Sequence, residues 1–313
     1  MASVSASASG LVVDVPRMLA LTGGIVNECG VGDDRVLYRI NRCMWAGRTG
    51  HSDVVMGVSP LYGPSLFLDG EMQSAASDEA IYHEHLVHPV LCATAGRNAR
   101  RVLVVGGGEG ATVREVLRWG AASVGAVDWV DIDGDLVNLC RRHLEWADDA
   151  VYNDARLTFY AEDIRHFLTV TAASKKYDVV VLDLPDPDVV ALRRDAGAAA
   201  VDEMPLHGAA FWELLCARLE GGGAVATHVG GVRPGAEVET RRAGLAWTST
   251  RAAAAGLGNG YAYHAPLPSF HGEWGFWMSA APDNYNVLPD GLRALDAAAI
   301  AGAFHWPRYW FLE

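Results

Sequence analysis

Five carboxylates are the residues of this chain whose type and spacing could do chemistry. Glu109 sits inside a glycine turn, GGGEG at 106–110. Asp131 closes a short apolar run 21 positions after Gly110. Asp163 lies in AEDIRHFL, and Asp183 and Asp186 lie in LDLPDPD, each just after another apolar run. A carboxylate about 20 residues beyond a glycine turn can chelate the two hydroxyls of a ribose. The pyrophosphate of a dinucleotide needs a helix N-terminus free of negative charge. Glu109 supplies negative charge there, which repels phosphate and suits a sulfonium or an amine. The turn therefore favours a nucleoside of the S-adenosylmethionine type over NAD. Carboxylates held close together are costly until a cation arrives, and a polyamine is such a cation. An amine has a pKa near 10 and must lose a proton before it can attack. Asp183 is the candidate to hold the nitrogen and accept that proton, with Asp186 fixing the amine or the tail of the donor. Pro185 and Pro187 stiffen the loop that carries both. A sulfonium already activates its carbon, so no metal is required. For any one of these acids, helix capping or turn formation is the competing explanation.

The elements that would position them read in order. Val102–Val105 is a short β-branched run typical of a buried strand, followed by Gly106, Gly107, Gly108 and Gly110. Thr112–Trp119 has helical period, and Val124–Val130 is a second strand ending at Asp131. Leu157–Tyr160, Val179–Leu182, Gly223–His228, Tyr261–Ala265 and Trp274–Ser279 read as further strands with largely helical segments between them. The alternation predicts an α/β fold, a Rossmann-like doubly wound, mostly parallel sheet, in which ligands bind at the carboxyl ends of the strands. Ahead of it, Leu11–Val13, Val36–Tyr38, Val54–Val58 and Leu66–Leu68 are short runs split by turn residues, with Asp69–Gly70 a tight turn. The predicted organisation is a mobile leader over 1–10, an N-terminal β-hairpin domain over 11–76 and the nucleoside-binding domain over 77–313. Ser77-Asp78-Glu79 opens a helix that runs to Ala93.

Composition bounds the function. The chain has 313 residues, half of them hydrophobic, and a net charge of −13. That charge argues against a nucleic-acid partner and is compatible with a cationic small molecule. Cys29, Cys43, Cys92, Cys140 and Cys216 are scattered, with no CxxC pair and no metal-ligand spacing. No apolar run reaches membrane-spanning length, and MASVSASASG lacks the features of a secretion signal. A cytoplasmic enzyme is expected.

Four segments together resemble the polyamine aminopropyltransferases, the spermidine synthases and their thermospermine-forming relatives. They are LFLDGEMQSAASDEAIYHEHLVHPVL at 66–91, VVGGGEGATVREVLR with DID at 131–133, LDLPDP at 182–187 and PSFHGEWGF at 268–276. The resemblance spans about residues 50 to 280. It implies a class I S-adenosylmethionine-dependent transferase fold, usually in homodimers or homotetramers, acting on decarboxylated S-adenosylmethionine and an amine or polyamine. It further implies that Asp131 binds the ribose and Asp163 the adenine amino group, with Glu109 near the sulfonium or the aminopropyl amine. Gln73, Tyr82 and His83 would line the site, Tyr82 toward the acceptor and His83 toward the donor. Gly106, Gly108, Gly110, Ile132, Glu162 and Leu184 would complete the donor pocket. Asp183 would be the base and Asp186 an amine anchor. His85 and His88 read as packing or surface residues, and the tryptophans after Gly272 as core.

The chain departs from the pattern after the catalytic loop. The usual Gly/Pro segment is absent, and Arg193 and Arg194 appear. His207 stands near an expected aromatic, and His228 in ATHVGG replaces a usual Gln. Two arginines facing the acceptor would repel a polyamine and suit a carboxylate; paired with Asp195 or Glu203 they would be a solvated turn. Three readings stay open: aminopropyl transfer; use of intact S-adenosylmethionine for 3-amino-3-carboxypropyl transfer, ring closure or methyl transfer; and a non-catalytic sensor of nucleosides or polyamines.

Overall fold

The computed structural model describes residues 25–29, 35–186, 205–232, 243–281 and 285–306. The predicted leader, the Leu11–Val13 run, Pro187, Asp188, Arg193 and Arg194 lie outside them. The N-terminal part is antiparallel. Strands β1 (Ile25–Cys29) and β2 (Arg35–Arg39) pair with each other. Strands β3 (Arg42–Arg48), β4 (Asp53–Ser59), β5 (Gly63–Leu68) and β6 (Glu71–Ala75) form a four-stranded meander. Asp69 and Gly70 join β5 to β6 with φ of 52° and 90°, the two positive values a type I′ hairpin needs. Strands β3 and β6 escaped the pattern reading because RCMWAGR carries no β-branched residue and EMQSA no continuous apolar run.

Helix α1 (Glu79–Ala93) follows, and nearly all of it is buried. Asp78 stands at its N-cap without making the expected side-chain cap bond. Its carboxylate instead accepts the Ser269 amide at 2.7 Å, tying α1 to the PSF segment. Pro89 lacks an amide, so the carbonyl four residues back, on His85, has no helical donor. The Tyr263 hydroxyl takes that place at 2.9 Å. Buried Glu84 is satisfied by the backbone amides of Arg293, Ala294 and Leu295 at 2.7–2.9 Å.

The main sheet has seven strands in the order β12-β13-β11-β10-β7-β8-β9. In chain order the rest comprises β7 (Arg100–Gly106), α2 (Ala111–Leu117), β8 (Val124–Asp131), α3 (Gly134–His143), α4 (Asp149–Tyr152), β9 (Leu157–Ala161) and α5 (Ile164–His166). Then come β10 (Tyr177–Asp183), α6 (Ala209–Cys216), β11 (Leu219–Val232), α7 (Ala243–Ala254), β12 (Tyr261–Leu267), β13 (Gly272–Met278) and α8 (Ala297–Ala303). The five strands from β11 to β9 are parallel. Strand β13 runs antiparallel to both its neighbours, β11 and β12. The Val-rich cores of β7, β8 and β10 are buried, as a sheet covered on both faces requires. From β7 the chain winds outward to β8 and β9, then returns to β10 and winds the other way. The switch point lies between β7 and β10, where Gly106 is the register partner of Asp183, and such a point opens the crevice in which ligands bind. Val54, Met56 and Leu66 of the meander share one apolar cluster with Ala111, Leu136 and Cys140 beside that crevice.

Candidate active site

The glycine turn is built by what lies across it. A Cβ on Gly106, whose φ is +79°, would sit 2.0 Å from the Asp183 carbonyl oxygen. One on Gly107, at φ +68°, would sit 2.7 Å from Asp183 Oδ2. Only glycine fits, and the Gly107 amide then donates to the Asp183 carbonyl at 3.0 Å. Gly108 faces the Asp131 carboxylate and Gly110 precedes α2. The Trp129 indole pins the Gly106 carbonyl at 2.8 Å.

Asp183 ends β10 with both carboxylate oxygens engaged by hydroxyls. Tyr82 Oη on α1 donates to Oδ1 at 2.7 Å, and Thr112 Oγ1 on α2 donates to Oδ2 at 2.5 Å. Tyr82 is buried beside Asp183, Glu109 and Asp186, and burial first, then those negative charges, hold its phenol protonated well above its ordinary pKa. Thr112 was not singled out from sequence; its signal is a hydroxyl one residue past the GEGA turn.

His83 and Glu109 form the second unit. His83 is fully buried. Its Nε2 meets Glu109 Oε1 at 3.1 Å, and its Nδ1 meets the Glu79 carbonyl at 2.6 Å and Oε2 at 3.2 Å. Burial opposes charge on the ring, but hydrogen bonds to Glu109 and Glu79 outweigh it and raise the pKa to about 10. Glu79 also binds Arg114 at 2.8 Å and contacts Arg293; burial opposes its charge, but His83 and Arg114 outweigh it and hold Glu79 well below the usual carboxylate range. His83, Glu109 and Asp183 offer ligand atoms within 4.8 Å of one another. The imidazolium spends both nitrogens on acceptors and keeps no lone pair for a metal, so the group does not fit one.

Asp131 is 9% exposed and accepts the Asp133 amide at 2.8 Å. Burial comes first, opposed by that amide and reinforced by the charges of Glu109, Asp133 and Asp183, and pushes its carboxyl up to about 7. Glu109, Asp131 and Asp183 therefore share one electrostatic field. Asp133 caps α3 through the Leu136 amide and binds Thr49 at 2.5 Å, linking the meander to the site.

The third strand behaves differently. Asp163 caps α5 through the Arg165 amide and pairs with the Arg165 guanidinium at 2.6 Å, and these bonds lower its pKa against a smaller opposing effect of burial. It realises the capping role set out above as the competing explanation. The Glu162 carboxylate takes bonds from His166 and Thr171, while the Glu162 amide donates to the Asp131 carbonyl at 3.1 Å. Ile132, next to Asp131, is 49% exposed. The Leu184 side chain is buried under β10. Gln73 is partly buried on β6, and its amide bonds the Glu71 carbonyl at 3.3 Å. Asp186 is half exposed and lies 3.3 Å from His228 Nδ1. His85 stacks on Phe276, and His88 joins Glu115 and Trp119 inside the core, so both are packing residues. Trp277 is buried, whereas Trp274 stacks on His228 with ring centroids 6.0 Å apart.

The spermine/spermidine synthase domain family matches residues 79–196. Polyamine aminopropyltransferase 2 of Pseudomonas aeruginosa is 38% identical over 247 residues, covering 79% of this chain and 64% of the relative. Polyamine aminopropyltransferase 2 of Hyperthermus butylicus is 40% identical over 196 residues, covering 62% and 59%. The chain thus spans somewhat under two thirds of the length of these relatives. Among solved structures, a spermidine synthase in complex with the transition-state analogue AdoDATO superposes with a TM-score of 0.75 at 19% identity, covering 91% of this chain and 92% of that one. The spermidine synthase of Thermotoga maritima gives 0.72 at 18% identity over the same shares. The fold is that of the spermidine synthases, and by its 79–196 domain and its sequence relatives the chain is a relative of the polyamine aminopropyltransferases.

Proposed function

We propose that this protein transfers the aminopropyl group of decarboxylated S-adenosylmethionine to an amine acceptor. The observation that carries the proposal is the switch-point crevice, where Glu109, Asp131 and Asp183 stand together around a glycine turn. Asp131 would accept the two ribose hydroxyls, and the exposed Ile132 side chain would offer apolar surface to the base. Glu109, held by the His83 imidazolium, would face the cationic end of the donor. The amine nitrogen would attack the aminopropyl carbon as the carbon–sulfur bond breaks, releasing methylthioadenosine as a neutral thioether. The nitrogen's surplus proton would pass to Asp183, whose oxygens Tyr82 and Thr112 hold in one orientation. Asp186, half exposed at the loop's outer end, would anchor the amine chain. Asp163, already paired with Arg165, would reach the adenine amino group only with a lone pair that Arg165 leaves open.

Around this crevice stand the acids Glu109, Asp131, Asp183 and Asp186, and the histidines His83 and His228 are committed to Glu109 and Asp186. The carboxylate of intact S-adenosylmethionine would meet like charge there, which favours the decarboxylated donor. Arg193 and Arg194, which motivated the alternative, lie outside the described residues. Incubation with each donor and 1,4-diaminobutane tests the proposal. Methylthioadenosine formed with the decarboxylated donor supports it. Methylthioadenosine from the carboxylated donor alone, or adenosylhomocysteine, overturns it. For cellular placement, no helix among the described residues is long and apolar enough to cross a membrane. The thiols of Cys43, Cys140 and Cys216 agree with a reducing cytoplasm. A homodimer or homotetramer, carried over from the resemblance, is checked by sedimentation.

A further inference from the structure

His228 lies where the acceptor-side loop turns. It sits on β11, 6% exposed in its side chain, with its ring stacked on Trp274 and 5.6 Å from the Tyr82 ring. Its Nε2 lies 2.5 Å from the Leu184 carbonyl oxygen. A carbonyl only accepts, so this nitrogen carries a proton. Nδ1 then faces Asp186 Oδ1 at 3.3 Å, a contact at ion-pair distance without the alignment of a hydrogen bond. In a neutral ring, that nitrogen would turn a lone pair toward a carboxylate. The pairing is built into the fold. Strand β11 carries a bulge between His228 and Gly230. Gly230 has φ +84°, and a Cβ there would stand 2.9 Å from Asp186 Oδ2. Across the loop, His207 Nε2 binds the Pro185 carbonyl at 3.0 Å. Two imidazoles thus hold two consecutive carbonyls of the Asp183–Asp186 loop.

The charged and titratable groups facing His228 are Asp183 at the end of β10, Asp186 in the loop after it, Tyr82 on α1 and His207 before α6. Burial resists charge on His228, but the Asp186 contact and the Asp183 charge prevail and raise its pKa. His207, buried and with Nδ1 unpartnered, is driven to about 4 chiefly by burial and stays neutral.

We propose that His228 is a specificity-determining residue, a built-in cation that occupies Asp186 and must release its proton when the second ammonium group of an acceptor docks there. The proposal rests on the aminopropyl-transfer reading of the crevice. The exchange balances: the imidazolium–carboxylate pair and an ammonium become a neutral imidazole, an ammonium–carboxylate pair and one proton in solvent. A diamine pays for this exchange in acidic solution and a monoamine does not, so His228 sets how strongly the site favours a second ammonium.

The test compares wild type with His228→Gln, each loaded with methylthioadenosine, by calorimetric titration with 1,4-diaminobutane and 1-aminobutane from pH 6 to 9. One linked proton makes diamine affinity rise by up to about tenfold per pH unit where His228 titrates. In His228→Gln that increment is lost, and at pH 6 the variant binds the diamine roughly tenfold more tightly than wild type. The monoamine responds far less. Diamine affinity with the same pH slope in both proteins overturns the proposal. Histidine Cε1–H resonances provide a readout independent of turnover. Asp186→Asn lowers the His228 titration midpoint if the pair exists, and an unmoved midpoint refutes the pair. If neither protein binds either amine while the His228 midpoint still shifts, the pair stands, and both the aminopropyl-transfer reading and the specificity role fall.

Discussion

Replacing His83 by Leu removes the buried cation that joins Glu109 to Glu79, and its effect follows from the geometry. In the native protein His83 holds its proton up to about pH 10. In the unfolded chain it loses that proton near 6.5. The folded pKa is the higher one. The stabilisation is therefore complete below about pH 6.5 and fades as pH rises toward 10, because in that window the native state binds the extra proton. Linkage gives a loss of about 1.4 kcal/mol per pH unit, or on the order of 5 kcal/mol across the window. A direct estimate agrees in size. Removing one partner of a buried ion pair costs roughly 3–5 kcal/mol, since the other charge stays buried. Glu79 would keep Arg114 and Arg293, but Glu109 would lose the partner on Oε1.

Urea denaturation of wild type and His83→Leu at pH 6.5, 8 and 9.5 reads this directly. The gap between the two proteins is expected to be several kcal/mol at pH 6.5 and to shrink steadily toward pH 9.5. Other titrations in that range, those of cysteines and tyrosines, occur in both proteins and cancel in the difference. Asp131 titrates near 7 and touches only the lower edge of the window. A stability gap that stays constant from pH 6.5 to 9.5 would mean that His83 is neutral in the fold, and the charged Glu79–His83–Glu109 relay would have to be abandoned.

Asp183→Asn is expected to lower kcat by roughly 10²–10⁴ while methylthioadenosine affinity stays within about threefold; turnover equal to wild type would remove Asp183 as the base. Thr112→Val deletes one hydroxyl bond to that carboxylate, and a hydrogen bond to a charged group is worth about 1.5–3 kcal/mol. A fall in kcat of at least roughly tenfold with the circular dichroism spectrum unchanged is expected, and full activity would show that Tyr82 alone orients the base. Methylthioadenosine binding should weaken as pH drops below about 7, where Asp131 gains its proton and loses acceptor capacity for the ribose. Asp131→Asn should bind weakly with no such pH dependence, and a wild-type profile in the variant would place the ribose elsewhere. Gly106→Ala drives a Cβ to 2.0 Å from the Asp183 carbonyl at a positive φ. Destabilisation of roughly 2–4 kcal/mol, seen as a lower Tm with lost turnover, is the expected result.

The parts of this molecule legible in its sequence are those whose cause is local. The unit β7, glycine turn, α2, β8, Asp131 occupies about 30 consecutive residues, and each boundary has its own short-range signal. The meander was only half legible, because β3 and β6 are strands by virtue of pairing with β4 and β5 rather than by their own patterning. The site divides the same way. That acids follow strands β8, β9 and β10 could be read from spacing. What state each acid is in could not, because non-local partners decide it. Asp163 and Asp131 follow equivalent strands, yet Arg165 neutralises the first while burial among like charges raises the pKa of the second. Tyr82 and Thr112 lie 101 and 71 positions before Asp183 in the chain and meet it only because β10 pairs with β7 and α1 packs against β10 and α2. His228 is the sharpest case. In sequence it is one departure from an expected Gln, with no sign of its partner. Its meaning depends on a bulge in β11 and a glycine at a positive φ that together bring a half-exposed carboxylate to a buried imidazole. Chemistry that depends on which acids remain unpaired is thus set by sheet register, and register is the property that local sequence specifies least.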